Sequence, residues 1–126
     1  MAKHVLIADD EPNIVTALEF LLQRAGFHVQ VARNGEEALR LIEERLPDLV
    51  LLDVMMPRLS GYDVCRRLRE RPEWRHVKVV MLSARGRHSD ADQGLRAGAD
   101  LYVSKPFSPR ELTTEIDRLL GSGDAT

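Results

Sequence analysis

The stretch Leu49-Val50-Leu51-Leu52-Asp53 decides the fold of this 126-residue chain. Four apolar residues run without alternation and stop at an acid. A strand with one wet face alternates apolar and polar residues, whereas a strand buried on both faces reads as a continuous apolar run. Val5 to Ala8 reads in the same continuous way, Val77 to Leu82 does so apart from Lys78, and Val29 to Ala32 and Leu101 to Val103 are two further short apolar runs. Helical periodicity fills the intervals. Ile14, Leu18, Leu21, Leu22 and Ala25 share one face of a first helix, with Pro12 in its first turn and Gly26 at its C′ position. A second helix opens at Asn34, where Glu37 gives a capping-box spacing. Ala38, Leu41, Ile42 and Arg45 supply its inner stripe and flank, and Pro47 stops it. A third begins near Ser60-Gly61 and must end before Pro72. A fourth starts at Ser89, with Asp92 three residues on, and ends at Ala97-Gly98, weakened by Gly94 and Gly98. The fifth has Ser108 as N-cap, Pro109 as N1 and Glu111 as N3, and lines its inner face with Leu112, Ile116 and Leu119. A β-α unit repeated in this way implies an α/β fold: a five-stranded parallel sheet, helices on both faces, right-handed crossovers. Ligands in such folds gather beyond the C-terminal ends of the strands.

Composition sets the limits around that reading. The length suits one domain, expected over residues 1–121, with a flexible Gly/Ser tail over 122–126. Lys and Arg number 18 against 20 Asp and Glu, a formal charge of −2. A domain that wraps nucleic acid would be basic. The single cysteine, Cys65, excludes an internal disulfide framework and suits a reducing compartment. No apolar stretch approaches the ~20 residues that span a bilayer. Met1-Ala2-Lys3-His4-Val5 leads straight into a polar cluster and does not read as a signal peptide. The expectation is a cytoplasmic, soluble domain.

The residues that end the strands carry the chemistry. Asp9, Asp10 and Glu11 follow the first run, Asp53 closes the third, Ser83 follows the fourth, and Ser104, Lys105 and Pro106 follow the fifth. They are scattered along the chain, yet the topology brings them to one sheet edge. Two carboxylates about 4 Å apart repel by about 4 kcal/mol at an effective dielectric of 20. Asp9, Asp10 and Asp53 carry three negative charges, and Lys105 offsets one. The residue of negative charge invites a divalent cation, and all-oxygen ligands suit Mg²⁺ or Mn²⁺ rather than zinc. A carboxylate beside a cation and a lysine is arranged as a nucleophile for a phosphoryl group.

In this combination the residues are similar to a known family. Asp9-Asp10, then Asp53 followed by Met55-Met56-Pro57-Arg58-Leu59-Ser60-Gly61, then Ser83-Ala84, then Lys105-Pro106-Phe107, resemble the receiver domain of bacterial two-component response regulators. Gly94-Leu95-Arg96-Ala97-Gly98-Ala99-Asp100 is also similar to that family, and the resemblance covers residues 3–120. It implies the flavodoxin-like, doubly wound (βα)5 fold with strand order 2-1-3-4-5. It further implies that Asp53 is the phosphoacceptor, taking a phosphoryl group from a phosphohistidine on a sensor kinase or phosphotransfer protein. Asp10 would bind Mg²⁺ directly, Asp9 largely through a water, and Met55 through its backbone carbonyl. Lys105 and Ser83 would each contact a phosphoryl oxygen. Tyr102 would be the switch aromatic that moves inward as Ser83 closes, and the Lys105-Pro106 peptide would be cis. Phosphorylation would change a protein-binding surface on the fourth helical segment, fifth strand and fifth helical segment, read by a downstream protein or by a phosphorylation-dependent dimer. Such a domain is a signalling phosphoacceptor that promotes only its own phosphorylation and dephosphorylation; it is not a conventional enzyme, does not enter a membrane and does not itself bind nucleic acid. Position 83 is Ser where the family more usually has Thr. Met55 and Arg85, two residues beyond Asp53 and Ser83, occupy positions that vary with phosphate lifetime in the family: apolar Met55 offers no hydrogen bond to position a hydrolytic water, and Arg85 is placed to form ion pairs across the site mouth, which implies slow autodephosphorylation.

Taken singly, the same residues have plainer readings. Asp9-Asp10-Glu11 could complement a helix dipole, Asp53 could end a strand in a turn, Ser83 could cap, Lys105 could be solvated, and Tyr102 could be half core. Their convergence favours a site. The basic run Arg66, Arg67, Arg69, Arg71 and Arg75 is interrupted by Glu70 and Glu73 and reads as a solvated face. Cys65 reads as a small semi-buried helix residue and Trp74 as packing. His4, His28, His76 and His88 lack metal-ligand spacing. Three rival readings exist: a flavin electron carrier, whose phosphate loop would not be as acidic as Asp9-Asp10-Glu11; an aspartyl phosphohydrolase, whose nucleophile would follow strand one; and a receiver-like module that ignores phosphate. A receiver cut from a longer transcription regulator is a further alternative.

Overall fold

The computed structural model describes residues 3–56, 58–83, 97–105 and 107–121. Five parallel strands form one sheet: β1 (His4–Ala8), β2 (His28–Ala32), β3 (Leu49–Asp53), β4 (Lys78–Ser83) and β5 (Leu101–Ser104). Their spatial order is β2-β1-β3-β4-β5, all neighbours parallel, as expected. The described helices are α1 (Pro12–Arg24), α2 (Gly35–Glu44), α3 (Gly61–Glu70) and α4 (Pro109–Leu119), with a 3₁₀ turn over Pro72–Trp74. The helix expected from Ser89 falls, up to Arg96, outside the described residues. Its last residue, Ala97, is helical, and Gly98 follows at φ +104°. The tail over 122–126 is likewise outside them.

Side-chain alternation in the central strands splits the core in two. Val5, Ile7, Leu49, Leu51, Val80 and Leu82 face one way and meet Val15, Leu18 and Leu22 of α1 and Leu112 and Ile116 of α4. Leu6, Ala8, Val50, Leu52, Val79 and Met81 face the other way and meet α2 and α3. Both faces of these strands are dry, so an apolar residue is required at every position. The core of α1 is centred on Val15, Leu18 and Leu22. This corrects the expected stripe: Val15 belongs to it, and Ala25, the C-cap, is exposed. Gly26 is the C′ residue at φ +96°, and the Gly26 and Phe27 N–H groups donate to the Gln23 and Leu22 carbonyls at 3.1 and 3.0 Å, the double bond of a Schellman motif. Arg45 is not on the α2 flank but is its exposed C-cap.

Caps set where helices start. Asn34 accepts from the Glu37 N–H at 2.8 Å, but the returning Glu37 carboxylate takes the Arg33 N–H at 2.7 Å rather than that of Asn34. The complete capping box is at α3, where Ser60 and Asp63 exchange side-chain and backbone bonds. Ser108 accepts from the Glu111 N–H at 3.3 Å, as its sequence predicts.

The basic run is only partly a solvated face. Arg66 pairs with Asp63, and Arg71 lies over the buried Trp74 ring at 4.1 Å. Arg69 is different. Its guanidinium donates to the Gly98, Arg75 and Val77 carbonyls and to Asp100 Oδ2 at 2.7–3.0 Å. It knots α3 to the approaches of β4 and β5. Cys65 is fully buried, not semi-buried, with its Sγ 3.3 Å from the Ala97 carbonyl, and burial pushes its thiol up to about 11. A thiolate is the reactive form, so Cys65 is packing.

Gly61 brings α3 against the end of β3. Its N–H donates to the Val54 carbonyl at 3.0 Å, and a Cβ there would sit 2.5 Å from the Asp53 carbonyl oxygen. Backbone cannot yield as a side chain would. Gly61→Ala is expected to destabilise by about 1–3 kcal/mol, seen as a melting point several degrees lower. A variant melting within a degree of the parent would show that the helix relocates freely.

Candidate functional site

The strand order places the site. β1 is followed by a crossover to one side and β3 lies on the other, so a crevice opens at their C-terminal ends. Asp9 follows β1 there, and Asp53 ends β3 beside it. Ala8 is in register with Leu52, Asp53 with Leu82, and Ser83 with Ser104. The ladder continues past the strands: the Asp9 N–H donates to the Ala32 carbonyl at 3.1 Å, Val54 N–H to Leu82 at 2.9 Å, and Lys105 N–H to Ser83 at 2.6 Å. Backbone pairing therefore sets the positions of Asp9, Asp53, Ser83 and Lys105.

The carboxylates of Asp9, Asp10 and Asp53 each present an oxygen within 4.8 Å of the others. Asp9 is fully buried, Asp53 is nearly so, and Asp10 is exposed. Asp9 Oδ1 accepts the Glu11 N–H at 2.9 Å, and Asp53 Oδ1 accepts the Met55 N–H at 3.3 Å. Lys105 Nζ lies 2.8 Å from Glu11 Oε1, 3.2 Å from Asp9 Oδ2 and 3.6 Å from Asp53 Oδ1. Ser83 is buried, Met55 projects into solvent at 58% exposure, and Tyr102 is half-buried against the α2–α3 side of the core. The Lys105-Pro106 peptide and Arg85 involve residues outside those described. One contact was missed by sequence reasoning, namely Glu11 on Lys105. Its only signal was a third acid after Asp9-Asp10, which reads equally as helix-dipole complement.

The electrostatics follow from burial. Desolvation raises the Asp53 carboxyl first and the neighbouring Asp9 charge adds to it, with a smaller push from Asp10. Lys105 and the Met55 N–H pull the other way, and the result is about 7. Burial lowers Lys105, but its hydrogen bond to Glu11 and the charges of Asp53 and Asp9 outweigh it and raise its pKa. The donor set is hard oxygen with surplus negative charge, and it fits a small divalent cation.

A carboxyl held above its unfolded value of 3.8 binds a proton more tightly when folded, so its contribution to stability falls as pH rises from about 4 to about 7 and levels off above that. Asp53→Asn, measured without divalent cations at pH 8, is expected to melt a few degrees above the parent. The gap should narrow toward pH 5, where the parent keeps its proton. Equal melting points at pH 8 would show that the cluster carries no such strain.

Comparison with known proteins agrees with this geometry. The family model for the response regulator receiver domain matches residues 5–117. The chain is 44% identical over 120 residues to the alkaline phosphatase synthesis transcriptional regulatory protein PhoP of Bacillus subtilis (strain 168), covering 95% of this chain and 49% of that protein. It thus spans about half the length of the curated relatives it matches. A response regulator structure from Chloroflexus aurantiacus superposes with a TM-score of 0.93 at 38% identity, covering 96% of this chain and 99% of that one. The signal receiver domain of a histidine kinase from Syntrophus aciditrophicus gives 0.90 at 34% identity, covering 99% and 95%. The strand order, the acidic crevice and these matches together establish that the chain belongs to the response regulator receiver family.

Proposed function

We propose that Asp53 accepts a phosphoryl group from a phosphohistidine on a sensor kinase or phosphotransfer protein, in a Mg²⁺-dependent reaction, and thereby switches a protein-binding surface. The observation that carries this is the crevice between β1 and β3, where three carboxylate oxygens lie within 4.8 Å and Lys105 Nζ stands 3.6 Å from the acceptor. An ionised Asp53 oxygen forms the new P–O bond while the donor's P–N bond breaks and the imidazole leaves. Mg²⁺ or Mn²⁺, when bound by Asp9, Asp10, Asp53 and the Met55 carbonyl, would hold Asp53 ionised and neutralise charge on the phosphoryl oxygens. Asp9 already serves the Glu11 N–H and Lys105, which suits an indirect part through water, whereas exposed Asp10 is open to direct ligation. Lys105 and the Ser83 hydroxyl each take a phosphoryl oxygen.

The added group carries about −1.5 to −2 charge. Ser83 and Tyr102 respond to it, one at the end of β4 and the other on the adjacent β5, in register with Met81. We place the readout on the segment before β5, on β5 and on α4. The reader is a downstream protein or a second phosphorylated copy. The domain works in the cytoplasm, where the kinase's phosphohistidine is made, and promotes only its own phosphorylation and dephosphorylation. No described helix is long and apolar enough to cross a membrane. The length of the curated relatives, transcriptional regulators about twice as long, favours a second reading in which this receiver controls an output domain.

The direct test is intact mass after incubation with acetyl phosphate. One added phosphoryl group that requires both Mg²⁺ and Asp53 is expected, with Asp53→Asn unlabelled. Absence of labelling by acetyl phosphate and by candidate kinases would leave a phosphate-independent module.

Phosphate lifetime is a separate outcome. The exposed thioether of Met55 offers no strong hydrogen bond to orient an attacking water. Slow autodephosphorylation is expected, accelerated severalfold by Met55→Asn with Arg85→Glu and followed by loss of the added mass. A rate untouched by both changes would place lifetime control elsewhere.

A further inference from the structure

The shortest contact of Lys105 is to neither buried aspartate. Nζ lies 2.8 Å from Glu11 Oε1, against 3.2 Å to Asp9 and 3.6 Å to Asp53. Of these three carboxylates, only Glu11 is exposed: its side chain is 57% accessible, against 0% and 7%. It therefore stands on the solvent side of the lysine, the side from which a phosphoryl donor must come.

A second observation makes this placement more than a surface ion pair. Glu11 is the N-cap residue of α1, with φ −91° and ψ 110°, yet its side chain makes no capping bond. The N-caps of the other described α-helices, Asn34, Ser60 and Ser108, all accept an N–H of their own first turn. Glutamate is one methylene longer than the preferred cap residues, and here that length is used to reach Lys105. The backbone is held for this purpose: the Glu11 N–H donates to Asp9 Oδ1 at 2.9 Å, and Pro12 fixes the next φ. The lysine is held too, by its own N–H on the Ser83 carbonyl at 2.6 Å.

We infer that Glu11 is a gate on Lys105: its carboxylate occupies the lysine in the unphosphorylated domain, in the place a phosphoryl oxygen must take. This rests on the phosphoacceptor reading above. With acetyl phosphate, Asp53 forms a P–O bond, the acetyl P–O bond breaks, and acetate leaves. The Lys105 ammonium passes from Glu11 Oε1 to a phosphoryl oxygen without losing a proton. Glu11 never touches the reacting atoms; it is a positioning residue that acts through Lys105, slowing the forward reaction.

The test compares labelling rates by intact mass with acetyl phosphate and Mg²⁺ for the parent, Glu11→Gln and Glu11→Asp. Glu11→Gln removes the charge. Glu11→Asp keeps the charge, shortens the reach and restores a preferred cap residue. Both are expected to label about two- to fivefold faster than the parent, the range set by the usual worth of an exposed ion pair, and Glu11→Asp should also melt higher. The excess rate should shrink in 1 M salt, where the parent's pair is screened. A helix-stability effect alone would not produce that salt dependence. Glu11→Gln no faster than the parent overturns the gate. Glu11→Gln fast with Glu11→Asp as slow as the parent also overturns it, because charge near the site, not the contact, would then set the rate. A parent that is never labelled sinks both the phosphoacceptor reading and the gate, whereas a labelled parent with unresponsive variants sinks the gate alone.

Discussion

Three carboxylates forced to within 4.8 Å of one another at a sheet edge are the constraint around which this domain is organised. In isolation they repel, and burying Asp9 and Asp53 makes the repulsion worse because the charged form loses water. The fold accepts this because backbone pairing, not the side chains themselves, sets where they stand. Asp9, Asp53 and Lys105 each sit at or one residue beyond the last rung of a parallel ladder, and the sheet is anchored by two dry cores. Lys105 is the internal compensation. It contacts the two buried acids and the exposed Glu11, so its own ammonium is stabilised against a burial that would otherwise depress it.

The loop after Asp53 is held by contacts far from the charges. Arg58 adopts φ +72°, a conformation that a non-glycine residue reaches only at a cost, and its guanidinium pairs with Glu36 at 3.0 Å. Gly35 at the start of α2 lets Leu59 approach so closely that no Cβ would fit between them. Gly61 does the same for α3 against the Asp53 carbonyl. Two helix N-termini are thus docked against the loop that carries Met55. On the opposite flank, Arg69 ties α3 to Gly98, Val77 and Asp100, and Asp100 in turn accepts the Val79 N–H at 2.8 Å. The entry to β5 is therefore anchored, while its other end carries Lys105 into the site.

Much of this is legible in the amino-acid sequence. Continuous apolar runs at Leu49–Leu52 and Val79–Leu82 identify buried parallel strands because both faces must be dry. Asp9, Asp53, Ser83 and Lys105 follow from the rule that α/β sites lie beyond strand C-termini. What was misread depended on direction and contact. Val15 joins Leu18 and Leu22 in the α1 core because it lies one turn before them on the same face, whereas Ala25 is the C-cap, beyond the last turn that packs on the sheet. Arg69 looked like its neighbours in a basic run, yet only its side chain faces backbone carbonyls. Glu11 looked like a dipole complement because sequence cannot show that a carboxylate turns away from its own helix.

The amino-acid sequence by itself determined the layer architecture, the strand ends and the residue types at the site, since those depend on periodicity and local chemistry that any short window contains. Tertiary structure alone decided which partners the charged groups of the site take. Lys105 meets residues 94 and 96 positions earlier in the chain, Glu11 and Asp9. Such pairings depend on which strands become neighbours and on the register between them. Burial then sets how strongly each charge is felt.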